Sequence, residues 1–144
     1  MLNDRAFEIR NNINNLEAEI QRLSHEINSI RREIEESYTE INNIKKSGDS
    51  FERLASILNT KNDRFAELSN LRCVQSMVKK GRERIQDTSY NSGMVHIEDA
   101  ISKINRDIRK KDSDCQYYEG RIVELRRKIE MLKTELLSIE NEGM

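Results

Sequence analysis

Hydrophobic residues recur at alternating spacings of three and four along two long stretches of the chain. The first stretch carries Leu2, Ala6, Ile9, Ile13, Leu16, Ile20, Leu23, Ile27, Ile30, Ile34, Ile41 and Ile44. The second carries Met94, Ile97, Ile101, Ile104, Ile108, Cys115, Tyr118, Ile122, Leu125, Ile129, Leu132, Leu136 and Ile139. Two polar residues, Ser37 and Lys111, fill the remaining positions of the repeat. Such a repeat keeps one seam of a helix against a partner helix, so it predicts long paired helices.

Glycines in short polar runs predict two turns between these stretches. Gly48 comes shortly after two lysines, whose charge complements a helix C-terminus. Glycine also readily adopts the left-handed backbone conformation that is common just after the last residue of a helix. Gly93 closes a second polar run at 88–93. With turns at 47–50 and 88–93, the 144 residues form one helical domain. Its parts are an arm at 2–46, a middle helical segment at 51–87 and an arm at 94–140.

Two all-α architectures satisfy this pattern. In the first, the arms pair as an elongated antiparallel coiled-coil hairpin, and the middle segment forms a smaller helical head. In the second, three helices of similar length run up, down and up, joined by two short turns. The matching length and regularity of the two repeats favours the arms as the main pair.

Composition narrows the class of protein. Hydrophobic and charged residues each make up 35% of the chain, and there is no proline or tryptophan, which suits a core one side chain deep. The net charge of −1 argues against nonspecific nucleic-acid binding. No apolar run approaches the ~20 residues of a membrane span. The first residues lack the apolar stretch of a signal peptide, so we expect a cytoplasmic protein, whose export would proceed without a cleaved signal.

The chain offers little that points to catalysis. Cys73 and Cys115 lack the spacing of a metal site, and the seam position of Cys115 predicts a reduced, partly buried thiol. His25 and His96 lack ligand partners at helical spacing. Nucleotide-binding, zinc-protease and serine-hydrolase motifs are missing. We therefore expect no enzyme activity, no cofactor and no metal.

Six residues are candidates for binding a partner protein. Four are apolar or aromatic and lie near the predicted breaks, where they either pack locally or help to form a docking surface for another helix. These are Phe51, Phe65, Tyr90 and Met94. Two are basic, Lys79 and Lys80, and they either form a solvated helix face or meet an acidic partner.

The last arm reads Ile97-x3-Ile101-x2-Ile104-x3-Ile108 and then Ile122-x2-Leu125-x3-Ile129-x2-Leu132. With an N-terminal arm and a short middle, this layout resembles the small helical accessory proteins of type VII secretion. Those proteins are partners of LXG-type toxins and are WXG-like in form. The resemblance is greatest from Leu68 to Ile108, with a small-residue turn at Tyr90-Asn91-Ser92-Gly93, although the chain has no Trp for a Trp-x-Gly turn. It implies binding to the helical N-terminal region of a toxin and presenting that region to the secretion machinery.

Two functional hypotheses follow. In the first, the protein is a chaperone or targeting partner whose apolar residues bind helices of a secreted client. In the second, it is a structural coiled-coil scaffold or tether that acts as a homo-oligomer. Apolar residues left over after the arms have paired would favour the client.

Overall fold

The protein is all-α in a computed structural model that describes residues 2–67, 72–85 and 88–143. Three helices occupy these ranges, and the ranges contain no strand. The helices are α1 (Leu2–Glu67), α2 (Arg72–Ile85) and α3 (Thr88–Glu142). The predicted all-α fold is therefore confirmed.

The predicted turn at 47–50 is wrong, because α1 continues through it. Gly48 is buried, and a Cβ placed on it would lie 3.7 Å from the Ile97 side chain of α3. No described glycine has a positive φ. The hydroxyls of Ser47 and Ser50 donate to the carbonyls four residues earlier, which satisfies these polar residues inside a helix. Gly48 thus lies inside α1 and faces a second helix instead of ending the first, with space for a Cβ at ordinary contact distance.

The second predicted turn, at 88–93, is also wrong. α3 already begins at Thr88, so the Tyr90-Asn91-Ser92-Gly93 segment is helical. A Cβ on Gly93 would lie 3.7 Å from the Phe51 ring, so this glycine too faces a neighbouring helix. The predicted middle segment at 51–87 is divided between the end of α1 and α2. The parts of that prediction, and of the Leu68–Ile108 resemblance, that fall on 68–71 and 86–87 lie outside the described residues.

The chain forms two compact units, to which α1 and α3 both contribute. The paired-arm unit contains the described residues up to Glu35 and those from Ile108 onward. Arg31 pairs with Glu119 and Glu33 with Lys111, so α1 and α3 run antiparallel here. This order is the one that the hairpin architecture predicts. Two buried clusters fill the seam: Leu23, Ile27, Ile30, Cys115, Ile122 and Leu125, and then Ile9, Ile13 and Ile129.

Lys111, the polar interruption of the second repeat, is half-buried in this unit. Its Nζ lies 3.4 Å from Oε2 of Glu33, a residue that is exposed on the flank of α1. The aliphatic stem therefore lies along the seam while the ammonium reaches a carboxylate at its edge. Such an ion pair joins the two helices at one register.

The three-helix unit spans Glu36–Asp107 and contains the second half of α1, all of α2 and the first part of α3. α3 contacts α1 where Ile97 meets Gly48 and Gly93 meets Phe51. α2 contacts α1 where Gly81 meets the Asn62 side chain, and a second contact joins Arg82 to Asp63 in an ion pair. Because Ile97 meets Gly48 while the earlier residue Gly93 meets the later residue Phe51, α3 is antiparallel to α1 within this unit as well.

Candidate protein-binding surface

Two of the predicted partner-binding residues, Phe51 and Tyr90, pack against each other. Their ring centroids are 5.1 Å apart, and the ring planes are inclined by only 13°. Gly93, less than one turn after Tyr90, leaves room for the Phe51 ring against the α3 backbone. One face of Phe51 is thus occupied inside the unit, and 38% of the residue is exposed. The aromatic pair consequently joins α1 to α3 and offers only its outer edge to a partner.

The other two apolar candidates lie in different environments. Met94 follows Gly93 on α3 and is half-buried. Phe65 lies near the C-terminal end of α1 and is 47% exposed. Of the four apolar candidates, Phe65 therefore presents the largest exposed fraction.

Phe65 belongs to a row of exposed apolar side chains that we call the apolar stripe: Leu54, Leu58 and Phe65. With about 3.6 residues per turn, these positions fall on one side of α1. Leu54 is 53% exposed and Leu58 is 41% exposed. Ile57, which is 52% exposed, widens the stripe on one side. A row of exposed apolar side chains on an otherwise charged helix is a mark of a protein-binding site.

Leu54 and Leu58 were not among the candidates from the sequence, which placed both in a separate middle helical segment at 51–87. The sequence does contain a signal that Leu54 lies at the surface. It appears when the first heptad repeat is continued through Gly48. The repeat then runs from Ile41 through Ile44 and Gly48 to Phe51, and its next members are Ala55 and Leu58. Leu54 falls beside this seam rather than in it.

The side of α1 that carries Leu54 is polar in the earlier heptads. Counting back from Leu54 in steps of seven gives Ser47, Glu40, Glu33, Glu26, Glu19 and Asn12. The change from carboxylates to leucine is confined to the three-helix unit. The apolar character at Leu54 is therefore a local feature, whereas Leu58 and Phe65 continue the heptad line of Ile30 and Ile44.

The two basic candidates, Lys79 and Lys80, are exposed on α2. They follow Val78, which is buried, and α2 as a whole carries five basic residues against one acidic residue. Because Arg82 pairs with Asp63 of α1, this basic helix lies next to the part of α1 that carries the stripe. The structure thus brings the basic and the apolar candidates into one unit.

Metal ligands and cysteine thiols are the remaining side chains of chemical interest. The described ranges hold no group of three or more His, Cys, Asp or Glu side chains that could bind a metal ion. Cys73 is exposed and Cys115 is buried, which confirms the predicted buried thiol. Burial raises the pKa of the Cys115 thiol, so the nucleophilic thiolate is disfavoured there.

Open grooves lie in both units. One, of about 420 Å³, lies between α1 and α3 in the paired-arm unit and is lined by residues that include Asn12, Leu16 and Met131. The other, of about 340 Å³, lies in the three-helix unit beside Asn59 and Tyr90. Within the described part of the chain, Oδ1 of Asn59 is buried without a hydrogen-bond partner. Neither groove is lined by histidine or cysteine.

Across residues 2–67, 72–85 and 88–143, no helix is both long enough and apolar enough to cross a membrane. Comparison of the chain with known protein families, with curated proteins and with solved structures finds no match. The fold defines the protein as an all-α protein in which α1 and α3 pair antiparallel. A functional proposal therefore rests on the residues of this chain alone.

Proposed function

We propose that this protein is a non-enzymatic helical binding partner that acts as a chaperone or targeting accessory for a secreted client. The client would present helices, as the N-terminal region of a secreted toxin does. Binding would take place in the cytoplasm, before export of the client. The apolar stripe on α1 is the observation that carries this proposal.

The stripe supports a helical client because of its spacing. Leu54, Leu58 and Phe65 lie on one helix side, as do the anchor residues by which helices dock into each other. Each of the three is at least 41% exposed, so the packing within the unit leaves apolar surface for a partner. Covering such surface is the usual source of affinity when a helix binds a groove or another helix.

The alternative, a homo-oligomeric scaffold, would use the heptad seams to join copies of the chain. In the paired-arm unit those seams are already closed within one chain, where Ile27 and Leu125 lie in the same buried cluster. In the three-helix unit, by contrast, Leu58 and Phe65 stand at heptad positions of α1 and remain exposed. This distribution favours a client over a scaffold that pairs through its arms.

Co-expression with a toxin-like protein encoded by a neighbouring gene tests the proposal. We expect a soluble complex, and Phe65→Ala should weaken it by about 1–3 kcal/mol, the usual range for truncating an interface anchor. Phe7→Ala is the matched control, because Phe7 is an exposed phenylalanine on the same helix in the other unit. Met94→Ala, at a half-buried position, should weaken the complex less. In sedimentation equilibrium, a tight self-associated species that takes up no client would support the scaffold instead.

A further inference from the structure

One charged residue, Lys61, lies within the apolar stripe. Leu54, Leu58, Lys61 and Phe65 follow one another at spacings of four, three and four, so Lys61 occupies the position at which the stripe would hold another apolar residue. Lys61 is exposed, and no described residue forms an ion pair with its ammonium group. A helix that covered Leu58 and Phe65 would therefore also cover Lys61.

The stripe continues an interface that already holds a helix. Phe51, Leu58 and Phe65 are seven residues apart and form one line along α1. α3 packs on this line at Phe51, through the stacked ring of Tyr90. Farther along, Leu58 and Phe65 remain exposed. The same line with the same spacing is therefore suited to a further helix, which would meet α1 much as α3 does.

Charge specifies the chemistry of that helix. Placing an ammonium group under an apolar helix is unfavourable unless a carboxylate pairs with it. The neighbouring helix α2, with its exposed Lys79 and Lys80, adds further positive charge to the same unit. An acidic residue on the partner, placed opposite Lys61, supplies the carboxylate that its ammonium group needs, whereas a basic residue there is repelled.

We infer that the apolar stripe docks an amphipathic helix that carries an acidic residue within its own apolar face, opposite Lys61. This inference rests on the proposed function and adds the chemistry of the client. The Lys61–carboxylate pair fixes the register of the docked helix, as single polar residues do in other helix pairs. Leu54, Leu58 and Phe65 supply the apolar contact on either side.

Two synthetic peptides of about 20 residues are suitable probes, a length at which a helix can form on binding. Both have leucines at alternating spacings of three and four and glutamates on the flanks, and they differ only in a central Glu or Lys within the leucine face. Calorimetric titration of the full-length protein should show the Glu peptide binding at least about tenfold more tightly than the Lys peptide. Lys61→Glu should reverse this preference, and Lys61→Gln should abolish it.

Phe65→Ser should weaken binding of the Glu peptide, whereas the control Phe7→Ser should leave it unchanged. Circular dichroism melts of the Lys61 variants should match the original protein, because the side chain is exposed. Equal affinity for both peptides, no binding of either, or binding that Phe65→Ser does not alter would overturn the inference. Self-association of the protein that Phe65→Ser abolishes would overturn it as well, by assigning the stripe to a second copy.

Failure of this inference and failure of the proposed function give different results. If a co-expressed client is retained and is weakened by Phe65→Ser but not by Lys61→Glu, the stripe binds the client and only the inference of an acidic residue opposite Lys61 fails. If the protein distinguishes the two peptides but retains no secreted client, the docking chemistry stands and the proposed role fails.

Discussion

The two units use one helix, α1, in opposite ways. In the paired-arm unit its seam is closed against α3 and buries a continuous row of hydrophobic residues: Ala6, Ile9, Ile13, Leu23, Ile27 and Ile30. In the three-helix unit only Ile41 of α1 is a buried hydrophobic residue, and the exposed ones include Phe51, Leu54, Leu58 and Phe65. The heptad spacing is the same in both units. Side-chain size at the repeating positions therefore decides which seam closes.

The seam positions of the second half of α1 show how this difference arises. One line of the repeat carries Gly48, Ala55 and Asn62, which are small or polar, and the other carries Phe51, Leu58 and Phe65. Neighbouring helices approach α1 along the small line, where Gly48 meets Ile97 and Asn62 meets Gly81. A helix drawn towards the small residues leaves the large ones partly uncovered. Small residues on one side thus create an apolar surface on the other.

The largest expected difference in stability between the two units comes from placing a carboxylate at a heptad position of α1 in each of them. Ile27→Asp should destabilise the protein by several kcal/mol, on the order of 3–5, because an unpaired charge would be buried at a position that is only 5% exposed. Leu58→Asp should change stability by less than about 1 kcal/mol, since Leu58 is largely exposed. Urea unfolding followed by circular dichroism measures both.

Asn28→Asp is the control for Ile27→Asp, because it introduces the same carboxylate at the neighbouring exposed position. It should be nearly silent. Equal midpoints for Ile27→Asp and Leu58→Asp would mean that the two seams are equally closed, and the contrast between the units would be lost.

The two cysteines give a second measure of the contrast. Cys73 is exposed on α2, and Cys115 is buried against α1, with its Sγ 4.0 Å from the carbonyl oxygen of Ile27. At neutral pH a maleimide should label Cys115 at least about a hundredfold more slowly than Cys73, which corresponds to an opening free energy of about 3 kcal/mol. Single Cys→Ser variants identify each site. Labelling of both at one rate would contradict a closed seam at Cys115.

The pH dependence of stability follows from the same buried thiol. Because burial raises the pKa of Cys115 in the folded state, folding favours the protonated form. The stabilisation is fully present below the ordinary thiol pKa of 9.0 and is lost as the pH rises through the folded value. Unfolding midpoints above that pH should fall less for Cys115→Ser than for the original protein.

A smaller effect tests the course of α1 itself. Gly48→Ala should stabilise the protein by about 0.5–1 kcal/mol, because alanine is the better helix residue and its Cβ meets Ile97 at an ordinary contact distance of 3.7 Å. If residue 48 instead ended a helix in the left-handed conformation, alanine would be destabilising. Gly120→Ala, at an exposed position in the middle of α3, should give a similar gain and serves as the control.

The regular parts of the fold could be predicted from the sequence, and the transitions between them could not. Ile27 and Cys115 are buried as the repeat predicts, because long heptad runs specify their own pairing. Gly48 was misleading because a glycine after two lysines can either end a helix or lie inside one and contact a neighbouring helix. The local sequence is the same in both cases. Its meaning depends on Ile97, which is distant in the sequence. The position of Leu54 depends on the same glycine, because Leu54 falls beside the seam only when the repeat continues through Gly48.

The smallest expected effect concerns the charges that flank the closed seam. Arg31 of α1 pairs with Glu119 of α3, and both side chains are about half exposed. Glu119→Gln should reduce stability by only about 0.2–1 kcal/mol, because solvent screens an exposed ion pair. The difference should vanish in about 1 M salt, where the Debye length falls to roughly 3 Å. Glu124→Gln, which removes a pair with Arg121 inside one helix, is the control for a loss of charge that does not cross the seam. A salt-independent loss above about 1.5 kcal/mol for Glu119→Gln alone, beyond the usual range for exposed pairs, would show that a charge pair rather than the apolar seam holds this unit together.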